Sequence, residues 1–212
     1  STGNIAITAS QIDNGSSASC GIASMSVSPN SFNCSAVGVN TVTLTVTDNG
    51  GNTDTCMANV TVQDNSDPTA TCQDITVYLD GSGNASITGS DVDGGSSDNC
   101  GVASLSVSPS SFDCNDVGGN TVMLTVTDDN GNTSTCTSAV TVADSTAPTA
   151  ACQDISVNLD SNGEATITPS DVDNGSSDNC SISTLSVFPT DFDCNDIGVN
   201  TVTLTVTDVN GN

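Results

Sequence analysis

Apolar and polar residues alternate along most of this chain. In QDITVYLD the apolar positions are Ile75, Val77 and Leu79, in NASIT they are Ala85 and Ile87, and in TVMLTVT they are Val122, Leu124 and Val126. A period of two puts one face of a strand on a core and the other in water. Leu105 and Val107 mark a further strand that ends at Ser-Pro-Ser-Ser. Phe112 is placed to plug the core, and Ala139, Val140 and Val142 form a closing strand. DGSGN at 80–84 reads as a turn and DDNGN at 128–132 as a hairpin. No window carries a helical period.

The same pattern returns every 80 residues. ITASQIDNGSSASCGIASMSVSP, ITGSDVDGGSSDNCGVASLSVSP and ITPSDVDNGSSDNCSISTLSVFP fall into register, and so do Cys20, Cys100 and Cys180. Three repeats are expected: 1–66 without an opening strand, 67–146 complete, and 147–212 without a closing strand. The parent chain is therefore expected to be longer. About seven short strands per repeat, with turn signals every eight to twelve residues or so, predict an all-β fold of tandem immunoglobulin-like sandwiches. The linkers QDNSDPT and ADSTAPT are short and stiffened by Pro68 and Pro148, which favours an extended rod.

A repeat of this size buries only about 60% of its unfolded surface, so a further constraint is expected. Cysteine supplies it, with 10 in the chain at four recurring positions. That regularity points to disulfides in an oxidising, extracellular compartment, and zinc is disfavoured by the lack of His and of any CxxC. Cys100 and Cys114 bracket a strand and what reads as its return, giving the pairs Cys20 with Cys34, Cys100 with Cys114 and Cys180 with Cys194. Cys72, before the opening strand, is expected to reach Cys136 in the closing one. Each closure contributes about 3 to 4 kcal/mol by restricting the unfolded chain. The competing scheme joins Cys56 to Cys72 and Cys136 to Cys152 across the linkers.

Charge changes the picture most. Twenty-five acidic residues stand against no Lys, Arg or His, giving a net charge of -25. Nucleic acid is excluded as a partner, because such a surface releases no counterions from phosphate. Glu164 is the only glutamate, and the aspartates gather in predicted loops. If the loops at 91–99 and 128–132 meet the incoming linker, then Asp91, Asp93, Asp98, Asp128 and Asp129 converge with Asp64 and Asp67. The third repeat offers Asp171, Asp173, Asp178 and Asp208 with Asp144, while the first keeps only Asp13 and Asp48. Hard oxygen ligands in such numbers suit Ca²⁺. The alternative is that these aspartates are solvated turn residues bonding their own backbone. Thr41, Thr43, Thr45 and Thr47 read as the outer face of an ordinary strand.

DNCG from Asp98 to Gly101, the run VGGNTVMLTVTDDNGNTSTC from Val117 to Cys136 and the opening PTATCQDITV resemble the hyalin-repeat (HYR-like) class of immunoglobulin-like domains. The acidic 80-residue form is similar to repeats of giant Bacteroidetes surface adhesins, including gliding-motility adhesins of the SprB kind. The resemblance covers the whole chain and implies export to the cell surface and assembly into long filaments. The first repeat departs from it, with Gln11, Ala18 and Ser19 in place of Asp91, Asp98 and Asn99. Asp144-Ser145-Thr146 resembles the short O-glycosylation motif of such secreted proteins.

Catalysis is disfavoured, because without His, Lys or Arg no serine has a base and no oxyanion a cationic partner. Paired carboxylates could serve glycoside hydrolysis, but that chemistry needs a cleft, and five aromatic residues supply few sugar platforms. No apolar run reaches the length of a membrane span. Three functions remain open: a structural stalk or adhesive filament, a module that itself binds glycan or protein, and an accessory repeat of a secreted enzyme. Expected partners are neighbouring repeats of the same chain, laterally associated copies in a fibre, and an extracellular surface or glycan gripped through another region.

Overall fold

A computed structural model describes residues 3–212. In the middle repeat the strands are Ile75–Tyr78, Asn84–Ser86, Val102–Ser108, Ser111–Asp113, Gly118–Asp128 and Thr133–Ala143. Four of them form one sheet in the order Ile75–Tyr78, Thr133–Ala143, Gly118–Asp128, Val102–Ser108. The opening and closing strands lie side by side and parallel, with Val140 opposite Ile75 and Ala143 opposite Tyr78. The second layer is the antiparallel pair Asn84–Ser86 and Ser111–Asp113. Two layers with adjacent first and last strands make an all-β, immunoglobulin-like sandwich.

Alternation delivers the expected core. Val122, Leu124, Val126, Val140 and Val142 are at most 1% exposed, and Leu79, Ile87 and Phe112 are buried with them. In the closing strand Ser138 rather than Ala139 faces inward, and its hydroxyl donates to the Gln73 carbonyl. Six strands are present rather than about seven. Each repeat also contains one α-helical turn that no periodicity signalled: Ala9–Ile12, Gly89–Val92 and Pro169–Val172. The cause is local. The Thr88 backbone N–H and hydroxyl both donate to Asp91 Oδ2 at 2.7 Å, Thr168 does the same to Asp171, and Gln11 accepts the Thr8 N–H at 2.7 Å. One turn held this way is too short to show a 3.6-residue period.

The residues cluster into two compact units. One holds 3–72, 93–106 and 124–136. Its first repeat pairs Ile22–Ser28 with Gly38–Asp48 and the latter with Thr53–Val62, around Val27, Phe32 and Val42. The other unit holds 73–92, 107–123 and 137–212. Its third repeat pairs Ile182–Phe188 with Thr203–Asp208 around Ile167, Val172 and Val187.

Three disulfides are formed: Cys34–Cys100, Cys72–Cys136 and Cys114–Cys180. The expected pairs Cys20–Cys34, Cys100–Cys114 and Cys180–Cys194 are not, and Cys20 and Cys194 are free. Strand direction explains the difference. Cys20 lies just before Ile22, which pairs with Asp48, whereas Cys34 leads into Gly38 at the opposite end of the same partner strand. The span of Gly38–Asp48, about 35 Å at the usual rise, therefore separates the two sulfurs. Ser-Pro reverses nothing: the chain passes to the second layer and carries on in the same sense. Each repeat thus presents one cysteine at each end, and Cys34 meets Cys100 of the next repeat with a Cα–Cα distance of 5.2 Å. The competing linker pairs are also absent, with Cys56 and Cys152 free and exposed.

Candidate functional site

Two acidic clusters form where a linker meets the following repeat, one inside each unit, each with one linker and one loop aspartate at equivalent positions. In the second unit carboxylate oxygens of Asp144, Asp178 and Asp208 all lie within 4.8 Å of one another. Asp208 is 2% exposed. Its Oδ1 accepts the backbone N–H groups of Asn210 and Asn212 at 2.9 and 2.7 Å, and its Oδ2 the Asn212 amide at 2.9 Å. Asp178 Oδ2 accepts the Cys180 N–H at 2.8 Å. Asp144 Oδ1 takes the Thr146 N–H and the Asn179 amide. The second oxygen of each linker and loop carboxylate is left over: Asp144 Oδ2, Asp178 Oδ1 and the Asn179 side-chain carbonyl are buried and accept no hydrogen bond.

The first unit repeats the design 80 residues earlier. Asp64 and Asp98 oxygens lie within 4.8 Å, Asp98 Oδ2 accepts the Cys100 N–H at 2.7 Å, and Asp64 Oδ2 is buried without a donor. Asn132 ties Asp128 in, donating both to Asp128 Oδ2 at 2.7 Å and to the Asp64 carbonyl at 3.3 Å. The Cys100 sulfur also lies within this group. Being half of a disulfide, it offers no thiolate.

Burial alone would raise the Asp128 carboxyl pKa, but the Asn132 side-chain amide and the N–H groups of Asn132, Asn130 and Gly131 outweigh it and hold it below the ordinary value. The same balance holds Asp208 down through Asn212, Gly211 and Asn210. Both remain charged at neutral pH. The turn that supplies these donors needs glycine, since Gly131 has φ +92° and Gly211 φ +94°.

The remaining sequence candidates serve local structure. Asp91 and Asp171 start the helical turns and are held below the ordinary carboxylate range by Thr88 and Thr168. The Ser96 and Ser176 hydroxyls, followed by their backbone N–H groups at 2.9 Å from Asp93 and 3.0 Å from Asp173, lower these two carboxyls. Asp129 is exposed beside Gly101, where a β-carbon would come within 2.7 Å of its Oδ2. Asp67 is exposed and outside the cluster. Sequence reasoning passed over Asn99 and Asn179 and the turn-ending Asn132 and Asn212. Their recurrence at the 80-residue period was the available signal. In the first repeat Ala18 stands where the loop carboxylate would be, and Asp48 closes its own turn through Asn52.

Together the two clusters gather hard oxygen donors, some buried and unpaired, in a chain without one cationic side chain. Among the described residues no helix is long and apolar enough to cross a membrane. Fold and clusters define an all-β repeat protein with acidic inter-repeat junctions closed by disulfides. No family model matches the chain, and no curated protein does. Among solved structures it is similar to protocadherin gamma B7 extracellular cadherin domains 1–4, at 16% identity and a TM-score of 0.31, covering 80% of this chain and 54% of that one. It is also similar to the protocadherin gamma B7 EC3–6 cis-dimer structure, at 17% identity, TM-score 0.31 and 66% and 46% coverage. This chain spans about half the length of each. The fold assignment rests on the strand order given above.

Proposed function

We propose that this chain is a structural segment of an extracellular adhesive filament, in which each repeat is joined covalently to the next and Ca²⁺ sets the junction between them. The observation that carries the reading is the pair of buried, donor-less oxygens Asp144 Oδ2 and Asp178 Oδ1, beside the Asn179 carbonyl, at a junction already closed by Cys114–Cys180. A buried acceptor without a partner is costly, and a buried carboxylate without a counter-charge more so. With no Lys, Arg or His in the chain, the compensating charge must come from solution. Asp144, Asp178, Asp208 and Asn179 would hold the ion in the second unit, and Asp64 and Asp98, with Asp128 alongside, in the first. The ion supplies charge neutralisation and fixes linker against loop.

The three disulfides support an oxidising location at the cell surface. The absence of any side-chain base or cation outside the carboxylates supports a non-catalytic role. The likeness of DNCG and PTATCQDITV to giant surface adhesins of the gliding-motility type supports a filament, with lateral association of copies as its route to a fibre. Calorimetric titration with Ca²⁺ and thermal melts in Ca²⁺ and in chelator test the ion. The expected result is saturable binding with a higher Tm in Ca²⁺; identical melts would remove Ca²⁺ from the function.

A further inference from the structure

Each acidic cluster shares its loop with a disulfide that joins two repeats. In the second unit the loop runs Asp178, Asn179, Cys180, and the Asp178 carboxylate accepts the Cys180 N–H at 2.8 Å. Cys180, 8% exposed, is bonded to Cys114 of the middle repeat. The Cys114 sulfur lies 3.5 Å from the Asn179 main-chain oxygen. The Asn179 side-chain amide donates to the Asp80 carbonyl at 3.1 Å and to Asp144 Oδ1 at 3.2 Å, which leaves its carbonyl oxygen as the donor-less end. Gly83 makes room for this close approach. A β-carbon there would come within 2.7 Å of the Cys114 sulfur and 2.8 Å of the Asn179 main-chain oxygen. The first unit has the same arrangement in Asp98, Asn99, Cys100, Cys34 and Gly3.

Two ties can therefore join the same loop to the preceding repeat. One is the disulfide to Cys114. The other is an ion held between Asp178 and Asp144, and Asp144 directly follows the middle repeat's closing strand Thr133–Ala143. We infer, resting on the Ca²⁺ reading proposed above, that Cys114–Cys180 and Cys34–Cys100 position the ligand loops, so that ion affinity and resistance to reduction are coupled. Either tie, once made, holds loop and linker side by side and raises the effective concentration for the other. The coupling is reciprocal: the factor by which the disulfide tightens the ion is the factor by which the ion disfavours reduction. A factor of about tenfold is expected, inside the usual span for linked sites. Reduction itself is exchange with an external dithiol. The two dithiol sulfurs join in a ring as the Cys114–Cys180 bond breaks, and the two protons pass to the freed cysteine sulfurs.

The test uses the whole chain with its three disulfides intact and its four free thiols blocked by alkylation. Calorimetry first measures Ca²⁺ binding to this oxidised chain; no binding there removes the Ca²⁺ reading and the coupling with it. The chain is then equilibrated in graded mixtures of reduced and oxidised dithiothreitol, in saturating Ca²⁺ or in chelator. Differential alkylation and mass spectrometry follow each disulfide. In Ca²⁺ the reduction equilibrium of the two inter-repeat disulfides is expected to fall about tenfold, a shift of about 30 mV. Cys72–Cys136, which belongs to neither ligand loop, should shift little. Asp178→Asn should abolish the shift at Cys114–Cys180 and preserve it at Cys34–Cys100. A chain with Cys114→Ser and Cys180→Ser should bind one of its two Ca²⁺ equivalents about tenfold more weakly. Ca²⁺ binding with no shift at either inter-repeat disulfide, an equal shift at all three, or a shift that survives Asp178→Asn would overturn the coupling and leave the Ca²⁺ reading standing.

Discussion

At the residue scale the acidic side chains divide into carboxylates that are fully used and carboxylates that are not. Asp91, Asp93, Asp128, Asp171, Asp173 and Asp208 each collect local donors and have lowered pKa values in the folded state. A group whose folded pKa lies below its unfolded value of about 3.9 stabilises fully above that value and less as pH falls through the folded pKa. Urea unfolding in chelator is therefore expected to show stability falling between about pH 4 and pH 2; a rise over that window would contradict the hydrogen-bond assignment. Asp178 is different, since one oxygen is spare. Asp178→Asn keeps an acceptor for the Cys180 N–H but removes a charge. The variant should melt higher than the native chain in chelator and lower in Ca²⁺, so that the order of the two Tm values inverts. The sequence showed these aspartates falling in loops. It could not separate turn closure from ion binding, because both use the same Asp-x-Asn-Gly vocabulary and only burial of individual oxygens distinguishes them.

At the scale of elements the period-two pattern was sufficient for the strands, because a half-buried strand writes its burial directly into every second residue. Leu124, with no exposed surface, is the centre of the middle repeat; Leu124→Ala should cost about 2–5 kcal/mol in chemical denaturation, against near neutrality for Thr125→Ala on the part-exposed face. The pattern was silent on the helical turns started by Thr88 and Thr168, and it misled at Ser-Pro-Ser-Ser. That turn chemistry is the same whether a chain reverses within one sheet or passes to the opposite sheet without reversing. The disulfide expectation failed through this ambiguity, since a reversal would have placed Cys34 beside Cys20 and a continuation carries it to Cys100. Cys72–Cys136, which depends only on the opening and closing strands being neighbours, does not pass through that turn.

At the scale of the whole molecule, the disulfides between repeats and the uniform negative charge are the dominant features. Closing loops of 66 residues stabilises by about 4 kcal/mol each in the chain-entropy estimate. Replacing Cys114 and Cys180 together by serine should lower the denaturation free energy by about 2–5 kcal/mol, and peptide mapping of the native chain should recover Cys34 joined to Cys100. Cleavage uses an Asp-directed or nonspecific protease, because there is no trypsin site. The covalent shortcuts also set the route by which tension crosses the chain. Force applied to the two ends passes along the backbone to Cys34, over the sulfurs to Cys100, on to Cys114, over again to Cys180 and out. Residues 35–99 and 115–179 are side loops that carry no load. Even with every sandwich pulled apart, about 80 residues set the contour, on the order of 300 Å rather than the roughly 700 Å of the open 212-residue chain. A tether of this kind can lose its folded structure without lengthening to its full extent, and only a reductant would let it out.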